Sequence, residues 1–121
     1  GDVYALYDLA QCYQHGKGTN IDNKLAIRYY KEVIETLTEK DQKKNDLLPK
    51  SYLNLARIYM HGNNVDENNV SKLRDCFFRA YGHAYIREEF EQGCYDKTEF
   101  SDLKESEFRP LVKEYYSKNS K

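Results

Sequence analysis

Residues 5–32, ALYDLAQCYQHGKGTNIDNKLAIRYYKE, decide the fold of this chain, because part of the stretch recurs further along. Leu9, Ala10, Tyr13, His15 and Gly16 return as Leu55, Ala56, Tyr59, His61 and Gly62, each displaced by 46 positions. A repeat period of this length points to a stack of helical units. In both copies the apolar residues fall at i, i+3, i+4 and i+7: Leu6, Leu9, Ala10 and Tyr13, then Tyr52, Leu55, Ala56 and Tyr59. That spacing predicts one inward stripe on a helix. The first helix is expected to start after Asp2 as its N-cap and to stop at Gly16; the second, to begin near Pro49 and stop at Gly62.

A polar loop and a further helix follow each glycine. In the first copy that helix is expected from about Asp22 to Glu39, with Ala26, Tyr29, Tyr30, Val33, Ile34 and Leu37 inward. In the second copy Val70, Leu73, Phe77 and Ala80 take this part. Each unit therefore reads as a helix–turn–helix hairpin. The organisation is one helical-repeat domain: repeat one at 3–39, a charged connector at 40–48, repeat two at 49–82 and a helical C-terminal cap at 83–121. In the cap, Thr98 and Ser106 are N-cap candidates, HAYIREEFEQG reads as a short leading helix, and Phe108, Leu111, Val112 and Tyr115 make another stripe. Pro110 is expected in the first turn, where a missing donor costs little. A repeat stack must hide its terminal apolar face, and this segment is suited to that task.

The first stretch resembles the Sel-one-like repeat (SLR), a relative of the tetratricopeptide repeat. Ala5, Leu9, Ala10, Tyr13, Gly16, Gly18, Asp22, Ala26, Tyr29 and Tyr30 match its pattern, and Thr19 stands for the usual valine. The second stretch, SYLNLARIYMHGNNVDENNVSKLRDCFFRAYGHA (51–84), is degenerate. Leu55, Ala56, Tyr59, Gly62 and Val65 fit and Phe77–Phe78 replace the tyrosine pair, while Asn64 takes the second glycine position. Arg74 falls where a small residue belongs, which predicts a wider or rotated second hairpin. The resemblance implies an all-α fold, a right-handed α–α hairpin solenoid of the SLR and tetratricopeptide kind with a helical C-terminal cap.

Composition narrows the remaining classes. The 121 residues carry 19 Lys plus Arg against 20 Asp plus Glu, so no global charge draws the chain to nucleic acid or anionic membrane. No apolar run reaches the length of a membrane span. Three cysteines, Cys12, Cys76 and Cys94, do not form a disulfide framework and favour a reducing compartment such as the cytoplasm; the resemblance also admits the endoplasmic reticulum lumen. The chain opens at Gly1 without an initiator Met and is in a motif by Ala5, so it reads as a piece of a longer polypeptide with further repeats upstream.

Catalytic chemistry finds no foothold. There is no phosphate loop, GxSxG, HExxH or paired CxxC, and GKGTN at 16–20 is a turn between helices. His15 and His61 beside their glycines read as helix C-terminal residues and not as metal ligands. Cys12 and Cys76 read as small buried hydrophobes, and Cys94 as the one to test for reactivity. The expectation is a non-enzyme without cofactor or metal.

By the resemblance, the first helix of each hairpin lines a concave groove that binds a protein or peptide. The groove-facing positions would be Tyr4, Tyr7, Asp8, Gln11 and Gln14 in the first copy, and Lys50, Leu53, Asn54, Arg57 and Met60 in the second. Tyr7 and Leu53 would serve as apolar anchors and Arg57 would meet a carboxylate or carbonyl. The function expected is an adaptor or scaffold within a larger complex. Two alternatives stand beside it. One is single-stranded nucleic-acid binding, disfavoured because no basic position repeats: Arg57 corresponds to Gln11 and Lys50 to Tyr4. The other is self-association of the repeat array.

Overall fold

A computed structural model describes residues 2–37, 47–61, 69–83, 87 and 105–119. Five helices account for nearly all of them: α1 (Val3–His15), α2 (Asn23–Thr36), α3 (Leu47–His61), α4 (Asn69–Tyr81) and α5 (Glu105–Asn119). No strand occurs among the described residues, and the chain is all-α.

Local chemistry sets the ends of the first hairpin. Tyr4 N donates to Asp2 Oδ1 at 2.9 Å, and Leu25 N donates to Asp22 Oδ1 at 3.1 Å, so an aspartate caps each helix. Gly16 closes α1 at φ 72°, and Lys17 N donates back to Cys12 O at 2.9 Å, the six-to-one bond of a Schellman ending. Gly18 shares that φ, and between them the two glycines reverse the chain. The turn is then tied down by Asp22 N donating to Tyr13 O at 2.9 Å.

Several boundaries differ from expectation. Helix α2 ends at Thr36 and not at Glu39. Helix α3 begins at Leu47, so the last two connector positions are helical, and Leu47 and Leu48 are buried. Burial of two leucines beside Pro49 favours starting the helix there. Pro110 is not in a first turn: it is the sixth residue of α5, which starts at Glu105 and places Ser106 inside the helix. The connector at 40–46, Gly62, Asn64, Val65, Gly93, Cys94 and Thr98 lie outside the described residues, as do the side chains of His61, Val70, Leu73, Ser106 and Phe108.

Helices α1 and α2 pair as one hairpin and α3 and α4 as another, and between the hairpins α3 packs on α2 with α1 alongside. One continuous core results. Ala10 meets the α2 side with Ala26, Tyr30 and Val33, and the core continues through Leu53, Leu55, Ala56, Ile58 and Tyr59 to Phe77, Ala80 and Tyr81. Helix α3 is buried on nearly every side, including Ser51, Asn54 and Arg57, as befits an element enclosed by neighbours. Arg74, in the position of a small residue, stays out of the α3–α4 contact. It is exposed, and its Nε lies 3.2 Å from Glu114 of α5. The inward face of α4 is instead Cys76, Phe77, Ala80 and Tyr81. Helix α5 joins α4 through aromatic rings: Tyr115 sits 6.0 Å from Phe78 and 5.0 Å from Tyr81 between centroids, both edge-on.

The inward face of α1 also departs from expectation. The buried residues are Tyr7, Ala10 and Gln14, whereas Leu9, read as part of the inward stripe, is 37 % exposed, and Leu6 and Tyr13 are half-buried. The helix is turned so that two tyrosine-bearing contacts seat on α2. Tyr7 meets Tyr30 edge-on at 5.6 Å, and the Tyr30 hydroxyl donates to Gln14 Oε1. Tyr13 stacks on Tyr29 at 5.8 Å with planes 9° apart.

Candidate functional site

Ten positions on the two first helices were expected to line a groove, and the fold divides them. Tyr7, Gln14, Leu53, Asn54 and Arg57 are interior residues. This corrects their reading as open contact positions: the rotation of α1 turns Tyr7 and Gln14 inward, and neighbouring helices on several sides enclose Leu53, Asn54 and Arg57 of α3. Tyr7 and its repeat equivalent Leu53 point into the hairpins, where each fills space beside the second helix. Gln14 is drawn inward by the Tyr30 hydroxyl, which gives a buried amide oxygen its donor.

Asn54 and Arg57 form the polar floor between the repeats. Asn54 Nδ2 donates to the Tyr7 hydroxyl and to Lys50 O, both at 3.0 Å, and Arg57 Nη1 donates to Asn54 Oδ1 at 3.0 Å. The Asn54 amide is thus used at both ends, which fixes its orientation and ties α3 to α1 across the hairpin boundary. Arg57, 5 % exposed, is held in this network, so its guanidinium is not presented on the surface.

The other five positions retain surface. Tyr4 is 60 % exposed and Asp8 is exposed, while Gln11, Lys50 and Met60 are half-buried. Tyr4, Asp8 and Gln11 follow one another at i, i+4 and i+7 along α1, a row about 10 Å long at 1.5 Å per residue. Lys50 is the repeat equivalent of Tyr4, and the Asn54 that bonds its carbonyl also bonds Tyr7. Aromatic, carboxylate and amide groups thus line one side of α1, and Lys50 lies on α3 one turn from the Asn54 that bonds α1.

Among the described residues the remaining titratable candidates are Cys76, Cys12 and His15. Burial, followed by the neighbouring Asp75 carboxylate, pushes the Cys76 thiol up to about 11, so it stays protonated and inert at neutral pH. Cys12 is half-buried, unlike the buried residue expected. His15 is exposed at the end of α1. Among the described residues no group of three or more His, Cys, Asp or Glu could hold a metal ion. No helix among them is long and apolar enough to cross a membrane.

A second surface lies on α1, in the first repeat, where self-association was weighed from the sequence. Ala5 and Leu9 are exposed and Cys12 is half-buried, whereas their equivalents in α3, Ser51, Leu55 and Ile58, are all buried. The repeat match records residue type and is silent about neighbours.

Comparison with known proteins agrees with this architecture. The Sel1 repeat family model matches residues 3–32 and 49–72, the two stretches that fold as α1–α2 and the start of the α3–α4 hairpin. Neither curated proteins nor solved structures gave a match. Sel1 repeats are helical hairpin units that generally mediate protein–protein interaction and form a non-catalytic module. Repeat register, hairpin structure and family match coincide over the same residues, and the chain is a Sel1-like repeat protein.

Proposed function

We propose that this chain is an adaptor segment that docks a peptide or protein partner on the face formed by its two first helices, through Tyr4, Asp8, Gln11 and Lys50. The observation that carries this reading is the row of Tyr4, Asp8 and Gln11 along α1, headed by a tyrosine left 60 % exposed, with Lys50 at the repeat-equivalent position of Tyr4 on α3. An exposed tyrosine supplies large contact area at small entropic cost and is a frequent energetic centre of interfaces. Asp8 and Gln11 offer acceptors and a donor suited to a peptide backbone, and Lys50 suits an acidic side chain or a carboxylate terminus. Met60, half-buried further along α3, adds an adaptable apolar contact. Tyr7 and Arg57 support this surface from below and are unsuitable as probes of it, because truncating either would disturb the core.

A displayed peptide library selected on the immobilised chain tests the proposal. Peptides enriched on the wild type should lose about tenfold in affinity, close to 1.4 kcal/mol, on a Tyr4→Ala/Lys50→Ala variant of unchanged helicity. Enriched peptides that bind both proteins equally would place the docking surface elsewhere.

A further inference from the structure

The last two helices are fastened to the fold by different means. Helix α4 buries Cys76, Phe77, Ala80 and Tyr81 in the core it shares with α3. Two cations pin it across that hairpin: Arg79 lies over the Tyr52 ring at 5.7 Å and Lys72 over the Tyr59 ring at 5.8 Å. The carbonyls at its C-terminal end are also met, since Arg87 Nη1 donates to Tyr81 O at 3.0 Å and to Gly82 O at 2.7 Å. None of these rings and acceptors belongs to α5. Helix α5 contributes no buried side chain among its described residues: Leu111, Val112, Glu114 and Tyr115 are half-buried and the others exposed. It meets α4 through the Tyr115 ring, set edge-on to Phe78 and Tyr81, and through the Tyr116 hydroxyl, 3.4 Å from that of Tyr81. The ion pair of Glu114 with Arg74 joins side chains 29 and 45 % exposed, where water weakens the attraction.

We infer that α5 is a releasable cap: it leaves α4 and unfolds as one unit while α1–α4 stay folded, and its departure uncovers an aromatic face at Phe78 and Tyr81. Elements with little buried surface open at lower free energy than the core they rest on, and α5 is such an element. Its own backbone does not oppose release. A helix of 15 residues is marginal in water without tertiary support, and Pro110 removes a further internal bond from this one. Helix α4, in contrast, keeps its place when α5 leaves. The Tyr81 ring, 1 % exposed in the closed chain, remains stacked on the buried Phe77 ring at 5.4 Å with planes 18° apart. The cations over Tyr52 and Tyr59 and the Arg87 bonds at the helix end also persist. Closed, the chain conceals Tyr81; open, it presents Phe78 and Tyr81 together on a helix that is still ordered.

Amide hydrogen exchange of the 121-residue chain, read by mass spectrometry helix by helix, tests this. Amides of 111–118 should exchange at least about a hundredfold faster than those of α3, yet more slowly than in the free peptide, with protection uniform along the segment. Tyr115→Ala should speed exchange in α5 about tenfold and Pro110→Ala should slow it by a similar factor, both leaving α3 unchanged. Exchange of α5 in step with α3 overturns the inference, because the helix then opens only with the whole chain. Absence of protection in α5, or protection that fades steadily from 111 toward 118, overturns it by removing the closed cap or its unity. A substitution that moves α3 as much as α5, or a Tyr115→Ala chain that does not fold, also overturns it, by making α5 part of the core.

Discussion

Gln14 shows how a single buried bond can override a hydrophobic pattern. A glutamine has no place on an apolar stripe, yet it is buried because the Tyr30 hydroxyl, sixteen residues away, donates to its carbonyl. A neutral bond of this kind adds little net stability, but leaving one buried partner without the other is costly. Tyr30→Phe should therefore destabilise the chain by about 1–3 kcal/mol, read as a lower urea midpoint. Adding Gln14→Leu to that variant should recover part of the loss. A Tyr30→Phe variant as stable as the wild type would mean that the hydroxyl contributes nothing. The caps at Asp2, Asp22 and Gly16 were legible in the sequence because each is satisfied within a few residues of itself. Gln14 was not, since its partner is decided by how two helices meet.

At the scale of elements, the same contrast separates helix positions from helix orientations. Periodicity places α1 and the body of α2 correctly, but it leaves the rotation of α1 open. Leu6, Leu9 and Tyr13 make one plausible stripe and Tyr7, Ala10 and Gln14 another, and they share an edge at Ala10. The second was selected by the edge-on contact of Tyr7 with Tyr30 and the bond from Asn54 to the Tyr7 hydroxyl. Two of the candidate docking residues, Tyr7 and Gln14, were lost to this choice. Helix α5 carries a different local conflict. Pro110, its sixth residue, has no N–H to give to the carbonyl of Ser106, one turn earlier. The helix forms across it while Tyr115 packs on Phe78 and Tyr81 and Glu114 pairs with Arg74. Pro110→Ala should restore the backbone bond and stabilise α5 by about 1–3 kcal/mol, seen as greater helicity and a higher urea midpoint. No gain in either would show that the proline is accommodated without cost.

Across the whole molecule, a single repeat motif is used in two environments. The family pattern marks Leu9 and Leu55 as the same residue, and the fold leaves the first 37 % exposed and the second 2 %. In α3 the position belongs to the core; in α1 it lies at the surface beside the row of Tyr4, Asp8 and Gln11. The positions that hold the repeats together are buried and so unavailable to a partner. The most direct test is the stability of Leu9→Ala against Leu55→Ala in urea. Leu55→Ala should cost about 2–5 kcal/mol, as for a leucine removed from a packed core, and Leu9→Ala about 0.5 kcal/mol or less, as for a surface change. Equal losses at the two positions would contradict the account, showing that α1 and α3 bury the same face.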